Sequence, residues 1–190
     1  MAKSDVRVGA PITGTGGILV APQGTALPTD STTAPDAALE KAGYVGEDGI
    51  TMTQERSTEK IRAWGGDTVK VVQTEHDVTF SWQFLETNPI VLREVYGQDN
   101  VEVTPASPTA GTLTAVKLTS STLPERVYVF EMKDGGARVR VVVPNLQITE
   151  VGDTTFVHSD VLRYEVTGEA LPDENGVKAY IYEDNGVTAA

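Results

Sequence analysis

Cysteine is absent from this 190-residue chain, so no disulfide framework, thiolate nucleophile or cysteine-type zinc site can be built, and the chain suits a reducing compartment. Histidine occurs only at His76 and His158, with no G-x-S-x-G turn beside either, which leaves little for a nucleophile and its base. No stretch approaches the roughly 18 consecutive apolar residues of a membrane span. The opening MAKSDVRVGAPITG lacks the apolar run of a signal peptide, so the expectation is a soluble chain with neither anchor nor export signal. Basic residues are scarce too: 15 Lys and Arg against 27 Asp and Glu give a formal charge of −12. That balance argues against binding nucleic acid by releasing counterions from its phosphates. Such acidity serves solubility, or keeps a surface near a polyanion without adhesion.

The clearest positive signal is EHDVTFSWQFLETNPIVLREVYG at 75–97. His76, Val78, Phe80, Trp82 and Phe84 alternate with Asp77, Thr79, Ser81 and Gln83, which predicts a strand with one buried face. Asn88 is placed to cap a helix, Pro89 to occupy its first position and Gly97 to end it, predicting a two-turn helix over 88–96. Its core arc is expected to hold Val91, Leu92, Val95 and Tyr96, with Ile90, Arg93 and Glu94 opposite. Ile90 is then a half-exposed staple or a contact with another chain.

Elsewhere the pattern is of short strands and turns. Residues 11–43 are rich in Gly, Pro, Thr and Ala and read as an extended arm, with a short helix expected over 35–43. Strands are expected over 50–54 and 57–64, then after the Gly65-Gly66-Asp67 turn over 68–73, a hairpin followed by the alternating strand as a third. Further strands are expected over 101–104, 112–118, 127–133, 137–143, 146–151, 161–168 and 177–182, with Pro144 ending one of them or marking an edge. Many short strands and one firm helix predict a mainly β fold, an antiparallel β-sandwich or barrel with the helix on its flank. One domain over 1–190 is expected, divided into an N-terminal arm (1–43), strands with a long hairpin (44–74), the rest of the sandwich (75–183) and a tail (184–190).

A search for chemistry yields no catalytic, cofactor-binding or metal-binding residue. His158-Ser159-Asp160 has the residue types of a triad, but neighbours on a strand point to opposite faces. Glu75-His76-Asp77 lacks a second ligand pair for a metal, and Gly46-Glu47-Asp48-Gly49 and the turns at Asp173-Glu174-Asn175-Gly176 and Glu183-Asp184-Asn185-Gly186 lack EF-hand spacing. Gly14-Thr15-Gly16-Gly17 is not followed by the Lys-Ser/Thr of a phosphate loop. Arg138 and Arg140, the one close same-face basic pair, read as an exposed strand face or a subunit salt bridge. Trp82 belongs to the apolar face, while Trp64 beside its glycine turn is open to either role.

Taken in order, GGILVAPQGTALPTD at 16–30, GYVGEDGIT at 43–51, the strand-to-helix segment ending NPIVLREVYG, and VRVVVPNLQITEVGD at 139–153 resemble the major tail tube protein of tailed phages with long non-contractile tails. The resemblance covers most of the chain. It implies a non-enzymatic structural virion protein: a β-sandwich that forms hexameric rings, stacked head to tail into a tube through which the genome passes. The implied partners are other copies of itself, tail proteins at the two tube ends, the tape measure protein in the lumen before ejection, and passing DNA that is not specifically bound. No cofactor is implied, and the implied location is the virion tail after assembly in the host cytoplasm. The resemblance further implies that the hairpin over 51–73 and the arm over 11–43 are mobile in the monomer and ordered between rings. Repulsion of DNA then calls for acidic side chains on the lumen wall, with Glu59, Asp67, Glu75 and Asp77 as candidates. Two other readings share the fold: the tube protein of a contractile injection system, and a non-catalytic β-sandwich binding module.

Overall fold

In the computed structural model, which describes residues 6–12 and 14–188, the alternating segment belongs to strand β5, Thr68–Phe84. Val78, Phe80, Trp82 and Phe84 are all buried, as the pattern predicts. The outermost ends of the expected arm and tail, residues 1–5 and 189–190, together with Thr13, lie outside the described residues.

The remaining strands are β1 (Ala10–Pro11), β2 (Ile18–Pro22), β3 (Glu40–Lys41), β4 (Val45–Arg62), β6 (Val101–Thr104), β7 (Leu113–Val116), β8 (Arg126–Asp134), β9 (Ala137–Val151), β10 (Tyr164–Leu171) and β11 (Tyr180–Asp184). Nine of the eleven strands, β5 included, form one antiparallel sheet in the order β3-β2-β8-β9-β10-β5-β4, with β1 added to β8 and β11 to β9; β6 and β7 pair separately. β5 and β8 are separated in the hydrogen-bonded order by two strands, yet their side chains meet. The Phe80 and Phe130 rings lie 5.1 Å apart, and those of Trp82 and Tyr128 lie 5.3 Å apart. The sheet therefore folds over on itself into a sandwich, with an aromatic core between its halves. Each fully buried large apolar side chain contributes about 1.5–3 kcal/mol to that closure.

The helix α1, Pro89–Tyr96, forms with the expected caps. The Asn88 side chain accepts from the Val91 N–H at 2.9 Å, and Gly97, at φ 103°, donates its N–H to the Arg93 carbonyl at 2.9 Å. Val91, Leu92 and Val95 face the core, but so does Glu94, against the expectation. At 100° per residue Glu94 lies only about 60° from Val91, and buried partners make its position tenable. Tyr96 is half-buried, edge-on to Tyr164, and Ile90 packs partly against the core.

Several expected elements fuse or vanish. The strands expected over 50–54 and 57–64 are one 18-residue strand, β4, and 68–73 runs unbroken into the alternating segment, so a single long ribbon replaces a hairpin plus a third strand. Likewise β9 continues through Pro144. Its edge is paired to β11 up to Val142 and to β10 from Asn145, so the missing N–H falls in the gap between the two partners. No helix forms over 35–43. The Asp36 carboxylate accepts from the Ala38 N–H at 2.8 Å in a turn, and Leu39 and Ala42 are buried in separate apolar clusters, which extended chain satisfies and helix propensity does not override.

The arm also departs from expectation. Ile18, Leu19, Val20 and Ala21 of β2 are buried, and β2 is hydrogen-bonded on both sides, to β8 and to the two-residue edge strand β3. Leu27 and Leu39 then cover the outer face of β8, with Val127 and Val129 beneath them. The segment is an integral layer of the fold rather than a free arm.

Candidate functional site

Two surfaces and two buried ion pairs stand out. The first surface is the outward face of β4, β5, β10 and the second half of β9. Cross-strand register places Thr53 opposite Thr79, Glu55 opposite Asp77, Ser57 opposite Glu75, and Glu59 opposite Val72. On the other side of β5, Glu165 faces Gln83, Thr167 faces Ser81 and Glu169 faces Thr79, with Glu150 beyond Thr167. Carboxylates alternating with hydroxyls and amides thus cover the face, and Lys70 near the tip is the one basic residue that the register of the described strands places there. Like charges directly opposite, as at Glu55 and Asp77, cost stability. The Lys178 amine offsets part of this at 3.3 Å from Asp77, and it also donates to the His76 carbonyl. Of the expected acidic candidates, Glu59, Glu75 and Asp77 share this face, whereas Asp67 lies at the end of the turn.

The second surface is the distal part of the β4–β5 ribbon. Beyond Gln54 and Val78 the core-side face continues into solvent with Arg56, Thr58 and Lys60 on β4, and His76, Gln73 and Val71 on β5. An extra residue on β5 at Thr74 shifts the register and keeps Gln73 and Val71 on that side. About nine residues at about 3.4 Å each make the projection about 30 Å long. Ile61, Val69, Val71 and Val72 are exposed along it, and Trp64 at the tip is 105% exposed. The open role left to Trp64 is therefore a surface role, while Trp82 is core.

Under α1, Glu94 accepts from the Arg126 Nε at 3.0 Å, from the Gln98 amide at 3.0 Å and from the Tyr128 hydroxyl at 2.6 Å. Burial, and then the Glu94 charge, push the Tyr128 hydroxyl pKa well above its ordinary value. On the outer face Arg140 pairs with Glu131 and donates to the Asp30 and Thr33 carbonyls at 2.7 and 2.9 Å, clamping the 30–33 loop over the sheet. Hydrogen bonds from Thr33 and Thr32 hold the Asp30 carboxyl well below the usual carboxylate range. Arg140 is thus buried in an ion pair within its own chain, while Arg138 is exposed. Strand parity carries a signal for both pairs: Arg126 shares a face with Tyr128 and Phe130, and Glu131 faces Arg140 across the β8–β9 hairpin.

The other sequence candidates do not converge. Asp160 is held by Arg163 at 2.9 and 3.1 Å and by the Val161 N–H, which lower its pKa, while His158 and Ser159 lie exposed beside it. Asp173 accepts from Tyr180 at 2.6 Å and from two N–H groups of its own turn, which also lower its pKa. Among the described residues no group of three or more His, Asp or Glu side chains is placed to hold a metal ion.

The sequence matches the family described as phage tail tube protein over residues 1–190. The chain belongs to that family. It is therefore a structural component of phage tails, which is the setting in which both surfaces are to be understood. No curated protein matches it in sequence. Among solved structures it is similar to the tube-terminating cap of the anti-feeding prophage, with 11% identity, a TM-score of 0.46, and coverage of 97% of this chain and 100% of that one. It is also similar to the PVC sheath/tube terminator of an extracellular contractile injection system (8% identity, TM-score 0.44, 93% and 98% covered). A third similarity is to a chain of the native gene transfer agent particle (10% identity, TM-score 0.43, 92% and 99% covered).

Proposed function

We propose that this chain is a tail tube protomer that closes into hexameric rings, and that the rings stack head to tail around a channel for DNA. The acidic outward face of β4, β5, β10 and β9 carries this reading. Placed toward the bore, it repels the DNA backbone over about 8 Å at physiological salt, which prevents adhesion without blocking passage. Nothing in folding requires carboxylates to oppose one another at Glu55 and Asp77, so a demand outside the protomer accounts for them. The edge position of β4 adds support. It is an 18-residue strand with no described partner on its outer edge, a template for the neighbouring copy's strand.

In this role the chain performs no chemistry. Tail proteins at the tube ends and a tape measure protein in the lumen complete the assembly, which takes place in the host cytoplasm. Negative-stain microscopy of the concentrated protein tests the ring, and hollow rings or tubes are the expected result. Lysine at Glu165 and Glu169 tests the bore assignment: ejection from otherwise intact particles should slow, and unchanged ejection rejects it.

A further inference from the structure

The two sheet layers diverge at the base of the ribbon. β10 pairs with β5 only as far as Glu169 opposite Thr79, and its last pairing with β9 is Leu171 opposite Asn145. The chain then crosses to β11, which joins β9 at Tyr180 opposite Val142. β5 therefore runs on beyond Thr79 with β4 along one edge and no described strand along the other. Burial follows the loss of that neighbour: Val78 is buried, His76 and Asp77 are half-buried, and every residue from Thr68 to Glu75 is exposed. One side chain covers the open edge. Lys178, 18% exposed, donates to the His76 carbonyl and to the Asp77 carboxylate 3.3 Å away. The turn that carries it is fixed independently of the ribbon. The Asp173 carboxylate accepts from the Asn175 and Val177 N–H groups and from the Tyr180 hydroxyl, and Ala179 packs against the core. Little backbone freedom is then lost when the amine is placed.

We propose that Lys178 is a latch that sets the angle at which the ribbon leaves the sandwich. Its amine supplies the donor that β10 no longer provides, at the last half-buried residues of β5, and it offsets the opposed charges of Glu55 and Asp77. The register slip at Thr74 follows at once, and a bulge is where a ribbon bends. A projection about 30 Å long turns an error of about 10° at its base into about 5 Å at its tip, more than a close-packed contact tolerates. The latch belongs to the free chain, and its use in assembly rests on the tube reading.

Because the chain has no cysteine, nitroxide labels go only where they are placed. Thr58→Cys, just beyond the latch, and Glu150→Cys, on β9, are both exposed, and spin resonance reads the distance between them. With Lys178 in place the free protein should give one narrow distance distribution. Lys178→Met keeps the stem and removes the amine. The distribution should broaden several-fold, and exchange of amides over 75–78 should rise about tenfold, with β9 and β10 unchanged. Lys178→Arg retains the donors and should restore both. Asp77→Asn, at a half-exposed site, should broaden the distribution less. An unchanged distribution in Lys178→Met overturns the latch, and if that variant does not fold, Asp77→Asn decides in the same way. The lag before tubes form should lengthen in Lys178→Met and recover in Lys178→Arg; an unaltered lag despite a broadened distribution overturns the part in assembly. Failure of the unsubstituted chain to form rings or tubes overturns the tube reading alone, because the distances are read in the free protein.

Discussion

Replacing Glu94 by alanine removes the acceptor for two buried donors, Arg126 and Tyr128, and for the half-buried Gln98 amide. Its side chain is 2% exposed and that of Arg126 is 10% exposed, so the guanidinium left behind keeps its charge in a nearly dry site. Breaking such a pair from one side costs about 3–5 kcal/mol, and the orphaned Tyr128 hydroxyl adds about 1–3 kcal/mol. Against a domain stability of about 5–15 kcal/mol this is a severe loss, and Glu94→Ala should shift the urea midpoint of the free protein far downward. Glu94→Gln retains the shape and part of the hydrogen bonding, so its loss should be smaller. The double variant Glu94→Leu/Arg126→Met removes both charges and fills the same volume. It should recover the part lost to the stranded guanidinium, since apolar replacement of a buried ion pair is often neutral or favourable, while the Tyr128 hydroxyl, still without its acceptor, keeps a cost of about 1–3 kcal/mol. Denaturant titration of the four corners of this cycle, at unchanged slope, gives the coupling. A loss under about 1 kcal/mol for Glu94→Ala, or a double variant as unstable as the sum of its singles, refutes the reasoning.

The same cluster predicts an alkaline limit. The Tyr128 pKa is higher folded than unfolded, so its contribution is complete below about pH 10 and is lost as pH rises beyond that, which a pH series of urea midpoints will show. Arg140→Ala should cost about 3–5 kcal/mol by stranding the Glu131 carboxylate, and amide exchange should rise selectively over 29–34 where the loop loses its clamp. At Gly168 an added Cβ would lie 2.4 Å from Leu146 Cδ2 and 3.3 Å from the Gln147 carbonyl, so Gly168→Ala should destabilise by about 1–3 kcal/mol in the same titration. In the free protein, amides of residues 18–21 should exchange slowly and those over 54–73 quickly, with only the latter gaining protection on assembly. Equal protection of the ribbon in both states would count against its role between copies.

The features that could be read in advance share a physical basis. An alternation such as Val78 to Phe84, and a helix bounded by Asn88 and Gly97, depend on local geometry that any chain of this pattern must obey, so β5 and α1 appear where expected. The tail tube resemblance was legible for a different reason, in the order of several modest segments, and the family match over 1–190 bears it out. The errors arose where a residue's role depends on a partner distant in sequence. Glu94 looked solvent-facing because Arg126 and Tyr128, which make its burial tolerable, lie more than thirty residues away. Pro144 reads from the sequence as a strand end or an edge, because the change of neighbour from β11 to β10 that admits it inside β9 is set by the sheet. Arg140 reads from the sequence as part of an exposed strand face or a subunit salt bridge, because the 30–33 loop that covers it lies more than a hundred residues away.

By itself the sequence determined that no disulfide, thiolate or cysteine-type zinc site can be built, that the chain is strongly acidic, and where the alternating strand and the capped helix lie. Only the tertiary structure decided that residues 18–22 are core, that Glu94 and Arg140 are buried ion-pair members, and that the carboxylates of four strands share one face. The physical reason is that burial and cross-strand pairing are properties of contacts between distant segments, and the chain's local pattern constrains those contacts without choosing among them.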